Sequence, residues 1–345
     1  MAPRVITMPR QVTLAEVAKL AGVHVATVSR ALNPATRSIV NEKTARRVES
    51  AAKSLGYVPN ITARSLRTQT TMTVGVVIPD LTNPIFPPMI RGIENYLAPR
   101  GYTALLSDSD GKDALERSAI QSLSERRVDG FIIATGLEKH PLLPQLYESG
   151  VPVVLANRAA GEVPYPLVTG NDEAGIEAAV SHLYDLGHRS VVHLAGPQSF
   201  STSQIRAKTM ARVCDSLGMV CRVVEATALT SEQGEAVTDA LLSEKQSFSA
   251  IQASTDLLAL GVLRSLRRHG LSCPGDMSVV GFNDMPFAEE FSPGLTTVRV
   301  PLEDIGSESA RQLLRILSEQ DSSPFVVTLP VSLVVRASTG PVPSQ

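Results

Sequence analysis

Apolar positions in the first part of the chain repeat at the three- and four-residue spacing of an α-helix. In the first such segment they are Leu14, Val17, Ala18 and Ala21. Thr13 and Glu16 have the spacing of a capping box, which starts a helix, and Gly22 suits the left-handed residue that ends one. The pattern therefore predicts a short helix between Thr13 and Gly22.

Two further helical patterns follow within the first sixty residues. Val28, Ala31 and Leu32 form the buried stripe of the second, which leaves an exposed face made of Val25, Ala26, Ser29 and Arg30. The third runs from the cap Asn41 to Gly56, and its buried stripe is Val48, Ala51, Ala52 and Leu55. Three small helices with a tight glycine turn between the first two predict a helix-turn-helix unit, whose second helix fits the major groove of DNA.

From Thr73 onward the pattern changes to short, continuous apolar runs separated by amphipathic stretches. The runs are TVGVVIP, YTALLS, DGFIIAT, VPVVLAN, SVVHLAG, SAIQAS and MSVVGF. Such runs are typical of parallel sheets that are covered by helices on both faces. The pattern is longer than one doubly wound sheet normally requires, so we predict two lobes with a ligand cleft at the carboxyl ends of their strands.

Charge divides the chain at the same place. Residues 1–70 contain eleven Lys or Arg and three Glu, which gives +8, whereas the whole chain carries −2. The remainder therefore carries −10. A basic segment joined to an acidic one favours contact with a polyanion through the basic end, although a merely solvated basic tail would give the same count.

Composition argues against several classes of protein. No stretch approaches the roughly 20 apolar residues of a membrane helix, and MAPRVITMPRQ lacks the apolar run of a secretory signal, so we expect a cytoplasmic protein. Cys214, Cys221 and Cys273 match no metal or redox motif and are expected to be reduced packing residues. The sequence contains no phosphate-binding loop, nucleophile elbow or HExxH pattern, so we expect no enzyme activity, no metal and no cofactor.

The segment VTLAEVAKLAGVHVATVSRALN, residues 12–33, closely resembles the DNA-binding head of the lactose and galactose repressor family. The residues that the resemblance places at base edges are Leu14, Val25, Ala26 and Arg30. Arg30 is the candidate for a bidentate contact with guanine. The residues implied to hold phosphates are Thr13, Thr27, Ser29 and Asn33. His24 departs from the family, which usually has a capping Ser there, and the loop at residues 34–39 looks longer than is usual.

The next segment, YVPNITARSLRTQ at residues 57–69, resembles the hinge helix of the same family, which folds when two copies meet over the operator. The implied DNA contacts are Tyr57, Asn60, Ala63 and Leu66. Ala63 is expected near the floor of the minor groove, and Leu66 is expected to act as an apolar wedge between two base pairs. A flexible linker with an incidental Leu is the alternative interpretation.

The resemblance continues through the rest of the chain, at DLTNPIF, VDGFII, LGHRSVVHLAGP, VVGFND and GLTTV. It implies a sugar-binding fold of the periplasmic type. The side chains implied to bind an effector are Asp80, Asn83, Phe86, Asn157, Arg206, Thr255, Asn283 and Asp284. Arg206 has the fork geometry to clamp a carboxylate or paired hydroxyls, and Arg158 also follows a strand. Any of these residues could instead cap a helix. Leu229 and Asn283 stand where relatives often carry an aromatic residue and an Asp.

The predicted fold class is an all-α helix-turn-helix head with a hinge helix, followed by a two-lobed α/β domain of two doubly wound parallel sheets, like a periplasmic binding protein. We expect the head at residues 11–58, the hinge helix and linker at 59–70, and the effector-binding and dimerisation domain at 71–340. Within that domain we assign residues 71–169 and 299–325 to one lobe and residues 170–298 and 326–340 to the other.

We therefore expect a homodimeric, sequence-specific transcriptional regulator, associated with the nucleoid when bound to DNA. It would repress carbohydrate-metabolism genes from a near-palindromic operator until a small sugar, polyol or sugar acid released it. The alternatives are a corepressor-dependent or activating member of the same family, or a solute-binding protein without a DNA function. ASTGPVPSQ has no heptad pattern, so a dimer is favoured over a tetramer.

Overall fold

The computed structural model describes residues 12–33, 36–57, 70–161, 163–244, 248–319 and 323–342. The chain divides into two compact units, residues 1–71 and 72–345, which we call the head and the body. Residues 58–69, which hold most of the predicted hinge, lie outside the described residues. In the described part of the chain, no helix is both long and apolar enough to cross a membrane.

The described residues of the head form the three predicted helices. They are α1 (Leu14–Ala21), α2 (Val25–Ala31) and α3 (Glu42–Leu55), with a 3-10 turn at Arg37–Ile39. The capping box before α1 is formed in both directions: Thr13 Oγ1 accepts from the Glu16 amide at 3.3 Å, and the Thr13 amide donates to the Glu16 carboxylate at 2.7 Å. Gly22 ends α1 with φ of 61°. Local caps therefore set the bounds of this helix.

The start of α2 is capped by a residue that is unusual in this role. His24 Nδ1 accepts a hydrogen bond from the Ala26 amide at 3.2 Å. The ring nitrogen thus satisfies one of the amides that a helix leaves unpaired at its first turn. The substitution of His for the usual capping Ser keeps the cap and changes the atom that provides it.

Small apolar side chains from all three helices form the core of the head. The buried members are Val17, Ala18, Ala21, Val28, Ala31, Ala45, Val48, Ala51 and Ala52. Because most are Ala or Val, the helices approach closely and leave the larger polar residues outside. This core holds α2 in place without using its outer face.

The body contains two six-stranded sheets. The strands of lobe 1 are β1 (Thr73–Ile78), β2 (Thr103–Asp108), β3 (Gly130–Ile133), β4 (Val153–Ala156), β5 (Leu167–Gly170) and β11 (Val326–Leu329). Their order is β2-β1-β3-β4-β5-β11, and every pairing is parallel. The helices of lobe 1 are α4 (Phe86–Leu97), α5 (Asp113–Glu125), α6 (Leu143–Glu148) and α11 (Leu302–Glu319).

Lobe 2 repeats this arrangement. Its strands are β6 (Ser190–Ala195), β7 (Val220–Glu225), β8 (Ala250–Ala253), β9 (Ser278–Asn283), β10 (Thr296–Arg299) and β12 (Ser332–Val334). Their order is β7-β6-β8-β9-β10-β12, and all pair in parallel except β12, which is antiparallel to β10. The helices of lobe 2 are α7 (Asp172–Asp185), α8 (Ser201–Ser216), α9 (Ser231–Ser243) and α10 (Asp256–Arg268). The prediction of two doubly wound sheets is confirmed, with one antiparallel edge strand added.

The burial of the strands explains their sequence pattern. The central strands β3, β4, β8 and β9 are buried at every position, whereas the edge strands β2 and β7 are exposed at about half of theirs. Helices cover both faces of each sheet, so a central strand has no solvent-exposed face and is mostly apolar. One apolar cluster continues from lobe 1 into lobe 2.

The assignment of residues 326–340 entirely to the second lobe is wrong. Strand β11 pairs in parallel with β5, with Val326 opposite Leu167, and therefore belongs to lobe 1. The chain enters lobe 2 again only at β12. The half-exposed pattern of β11 is that of any edge strand, so it does not identify the sheet. Because α11 packs on the first sheet, the strand after it reaches the edge of that sheet.

The chain crosses between the lobes three times, at Asn171, between β10 and α11, and between β11 and β12. Two hydrogen bonds also join the lobes: the Glu138 amide donates to the Ser199 carbonyl at 2.9 Å, and the Ala159 amide donates to Ser201 Oγ at 3.0 Å. The strands of both sheets therefore direct their carboxyl ends toward a shared cleft.

Candidate functional site

The outer face of α2 is the candidate DNA-contacting surface of the head. Val25 is 40% exposed, and Ala26 and Arg30 are also exposed, while Val28 and Ala31 are buried on the opposite face. An exposed Val beside an exposed Arg does not stabilise the core of the head. The face is therefore available for contact with a partner.

The other residues predicted to contact DNA vary in exposure. Thr13 is exposed, but its hydroxyl already takes part in the capping box. Leu14 and Tyr57 are half-buried and pack against the core of the head. The remaining half-buried residues are Thr27, Ser29 and Asn33. Asn60, Ala63 and Leu66 lie outside the described residues.

Arg37 of the head makes internal ion pairs. Arg37, in the loop that looked long, places Nε 2.6 Å from Glu49 and Nη1 3.0 Å from Glu42. These two ion pairs tie the loop to α3, so the loop is anchored by its own arginine.

The second candidate site is a cleft between the lobes. From lobe 1 it is lined by Asn83, Pro84, Ile85, Asn157 and Arg158. From lobe 2 it is lined by Thr202, Ser203, Arg206, Leu229, Thr255, Asp256, Leu257, Asn283 and Met285. Most of these residues follow the carboxyl end of a strand or open the next helix, which is where ligands bind in open parallel sheets.

Arg206, near the start of α8, is buried and held from two sides. Its Nε and Nη2 lie 2.8 and 2.7 Å from Asp172 Oδ1, and its Nη1 donates to the Ser254 carbonyl at 2.5 Å. Its guanidinium also stacks 3.7 Å from the centre of the Phe282 ring. Burial raises the pKa of Asp172, and the charge of Arg206 opposes that rise. Arg206 is thus a rigid cation in the wall of the cleft.

Arg158 is the second buried cation of the cleft. It follows β4, is 5% exposed, and stacks 3.9 Å from the centre of the Phe200 ring of lobe 2. Burial lowers its pKa to about 10, and the positive charge of Arg206 acts in the same direction. The group still carries its proton at neutral pH.

Two asparagines at strand ends adopt left-handed backbone conformations. Asn157 has φ of 69° and Asn283 has φ of 114°. Non-glycine residues rarely adopt such angles, and they concentrate where a backbone is bent to position a side chain at a site. Both side chains are nearly buried and line the cleft.

Asp256 and Thr255 open α10 at the cleft. Thr255 Oγ1 accepts from the Leu258 amide at 3.3 Å and caps the helix. Asp256 accepts from Thr297 Oγ1 at 2.5 Å and from the Met285 amide at 2.7 Å. Burial raises the pKa of Asp256 to about 7, although these hydrogen bonds oppose the rise. Its carboxyl group is therefore partly neutral near pH 7.

Comparisons with known proteins establish the family of this chain. Residues 13–60 match the profile of bacterial regulatory proteins of the lacI family, and residues 180–339 match the periplasmic binding protein-like domain. The ribose operon repressor of Halalkalibacterium halodurans is 33% identical over 327 residues, which cover 95% of this chain and 97% of the relative. The chain belongs to the LacI family.

Solved LacI-family structures agree with this assignment. The lac repressor dimer bound to operator and an anti-inducer is similar with a TM-score of 0.86 and 28% identity, over 96% of this chain and all of that one. The transcriptional regulator CelR in complex with cellobiose is similar with a TM-score of 0.73 and 30% identity, over 95% of this chain and all of that one. This LacI-family chain is a transcriptional regulator, and its relatives are not enzymes.

Five of the residues predicted to bind an effector line the cleft of this LacI-family chain, namely Asn83, Asn157, Arg206, Thr255 and Asn283. Asp80, Phe86 and Asp284 do not. Asp80 accepts from Thr82, and Phe86 is fully buried in the apolar core at the start of α4. Asp284 is paired with Arg299 at 2.6 Å and with Arg336 at 2.7 Å. Each follows a strand, yet its side chain has an internal partner away from the cleft.

Several cleft residues were not selected from the sequence. Asp172 opens α7 and is separated by 34 positions from the Arg206 that it holds, so no local pattern links them. Met285 and Leu257 line the cleft with apolar surface that resembles ordinary core sequence. Arg158 carried a usable signal, since it is a charged residue directly after the apolar run VPVVLAN, at the carboxyl end of a predicted buried strand.

Proposed function

We propose that this regulator is a homodimeric repressor of carbohydrate-metabolism genes, which binds a near-palindromic operator through its head and is released by a sugar-like effector in the cleft. The observation that carries the proposal is the pairing of an exposed α2 face in the head with a buried polar cleft in the body. We propose that the repressor acts in the cytoplasm and that it is associated with the nucleoid while it is bound to DNA.

In the head, we propose that α2 lies in the major groove. Arg30 would read guanine with its planar fork, beside apolar contacts from Val25, Ala26 and Leu14. Contacts with phosphates are proposed for Thr13, Thr27, Ser29 and Asn33. Tyr57, Asn60, Ala63 and Leu66 would extend the interface into the minor groove. The lac repressor complex with operator supports this arrangement by similarity.

In the body, we propose that the effector occupies the cleft and contacts Asn157, Arg206 and Asn283. Similar proteins are a ribose operon repressor and a regulator in complex with cellobiose. The lobes are joined by three chain crossings, and we propose that the effector changes how the two lobes sit against each other. Effector binding and operator binding would then change each other's affinity through one coupling free energy, typically about 1–3 kcal/mol.

Selection of bound sequences from random DNA with the full-length protein tests the proposal. We expect a near-palindromic site whose affinity falls steeply with salt, because lysines and arginines displace counterions from phosphates. The Arg30→Ala variant should weaken binding about 10- to 100-fold and lose preference at one base pair in each half-site. Lys53→Ala, an exposed head residue on α3, should preserve the sequence preference. No sequence preference in the wild type would contradict the proposal.

A further inference from the structure

The side chain of Arg158 lacks a polar partner in the part of the chain that the structure describes. Its Nε is fully buried there without a hydrogen bond, and the guanidinium stacks on the face of the Phe200 ring. Placing an ionised group in a site that is 5% exposed is unfavourable unless an anion and hydrogen bonds compensate it. Arg158 therefore has an unmet requirement for a negative charge.

The buried carboxylates of Asp172 and Asp256 have hydrogen-bonding partners of their own. Asp172 receives two N–H groups from Arg206, at 2.7 and 2.8 Å. Asp256 is turned toward Thr297 and the Met285 amide, and burial raises its pKa to about 7. The charge of Asp172 acts on both Arg158 and Arg206, so this one carboxylate faces two guanidinium groups and, within the described residues, is hydrogen-bonded only to Arg206.

The other polar side chains that line the cleft are uncharged. They are Asn83, Asn157, Thr202, Ser203, Thr255 and Asn283. These amides and hydroxyls suit the hydroxyl groups of a sugar ring, but they cannot neutralise a guanidinium. The described lining therefore has an excess of positive charge on the side of lobe 1.

From this imbalance we propose that the effector carries a negatively charged group, a carboxylate or a phosphate, which binds Arg158. The inference rests on the proposed function of the cleft as an effector site and adds the charge of the ligand. A guanidinium fork binds either group through paired hydrogen bonds, and such charge-assisted bonds are about twice as strong as neutral ones.

Closure of the lobes would strengthen this interaction. Beside Arg158, the Ala159 amide bonds to Ser201 Oγ, and Phe200 of lobe 2 covers the guanidinium. An anion held by Arg158 would thus sit where lobe 1 meets lobe 2, and the local dielectric would be lower than in water. The ligand charge would favour the closed arrangement.

Calorimetric titration of the full-length protein with matched ligands tests the proposal. The probes are glucose, glucuronate and glucose 6-phosphate, the corresponding galactose series, and acetate and inorganic phosphate alone. We expect at least one anionic sugar to bind ten or more times as tightly as its neutral parent. Comparing the sugar acids with the sugar phosphates then shows whether the site prefers a carboxylate or a phosphate.

Variants at Arg158 provide the second measurement. Arg158→Gln should weaken the anionic ligand about 10- to 100-fold and change the neutral parent less than about twofold, whereas Arg158→Lys should keep the preference for the anion. Arg212→Gln is the matched control, because Arg212 is an exposed residue of α8 that pairs with Glu177. Without ligand, Arg158→Gln should leave the melting temperature unchanged or raise it, since it removes an uncompensated buried charge.

Three results would overturn the proposal: neutral sugars that bind as tightly as their acids and phosphates, no binding of any anion by the wild type, or a lower melting temperature of ligand-free Arg158→Gln. Release of the selected operator by a neutral sugar would overturn it while leaving the proposed repressor function intact. Absence of operator binding would instead affect only the proposed function.

Discussion

In the head, the described residues proposed to contact DNA lie between Thr13 and Tyr57, and those on the outer face of α2 are exposed. In the body, the cleft residues extend from Asn83 to Met285, and Asn157, Arg158 and Arg206 are at most 7% exposed. The exposed face of α2 comes from one short helix, whereas the cleft is assembled from both lobes.

This difference has an energetic consequence. Exposed side chains on α2 can be changed without leaving a cavity or an unpaired charge, so their substitution should affect binding more than folding. Cleft residues such as Arg206 and Asp172 contribute to folding and ligand binding together, since each is buried with its partner. The comparison therefore predicts which variants separate function from stability.

The largest effect is expected from breaking the buried ion pair of the cleft. Asp172→Ala leaves the guanidinium of Arg206 buried without its anion, and should lower the free energy of unfolding by about 3–5 kcal/mol. Urea denaturation measures this change. Glu177→Ala, which breaks an exposed pair with Arg212 on the same two helices, should cost less than about 1 kcal/mol. Equal losses of unfolding free energy in the two variants would contradict the expected difference between the buried cleft pair and the exposed pair.

A pH-dependent effect of similar size is expected inside lobe 2. His193 is fully buried with Nδ1 2.5 Å from Gln252 Oε1, and burial lowers its pKa to about 4. The unfolded chain takes up this proton near pH 6.5, so the wild type should lose about 3 kcal/mol as the pH falls from 6.5 to 4.

The readout for His193 is the slope of unfolding free energy against pH. His193→Leu should remove the pH-dependent contribution of His193 to the free energy of unfolding, which is fully present above pH 6.5. The control variant His269→Gln, at an exposed histidine, should keep that contribution. A slope that is unchanged in His193→Leu would show that the histidine is not held neutral. The described head contains no buried histidine, so this pH dependence should arise in the body alone.

The smallest effect is expected at the cap of the recognition helix. His24→Ala removes the acceptor for the Ala26 amide and should cost about 0.5–1 kcal/mol, which corresponds to roughly fivefold faster amide exchange in α2. His24→Ser should restore protection. Hydrogen exchange of the full-length protein measures both variants, and unchanged exchange in the alanine variant would exclude a capping role.

Sequence patterns were most informative where structure depends on neighbours along the chain. The capping box of Thr13, the glycine ends of α1 and α3 and the buried face of α2 all follow from residues within four positions of one another. Strand ends also indicated the cleft, and five of the selected side chains line it. Asp80, Phe86 and Asp284 also come after strands. Where their side chains point depends on the residues they contact in the folded chain.

The sequence by itself determined the three helices of the head, the strands and helices of the body, and the basic charge of the first segment, because spacing and caps act over a few residues. Tertiary structure decided that β11 joins lobe 1, that Asp172 holds Arg206, and that Arg158 is left without an anion. These outcomes depend on which distant segments pack together, and that packing sets both burial and the supply of counter-charges.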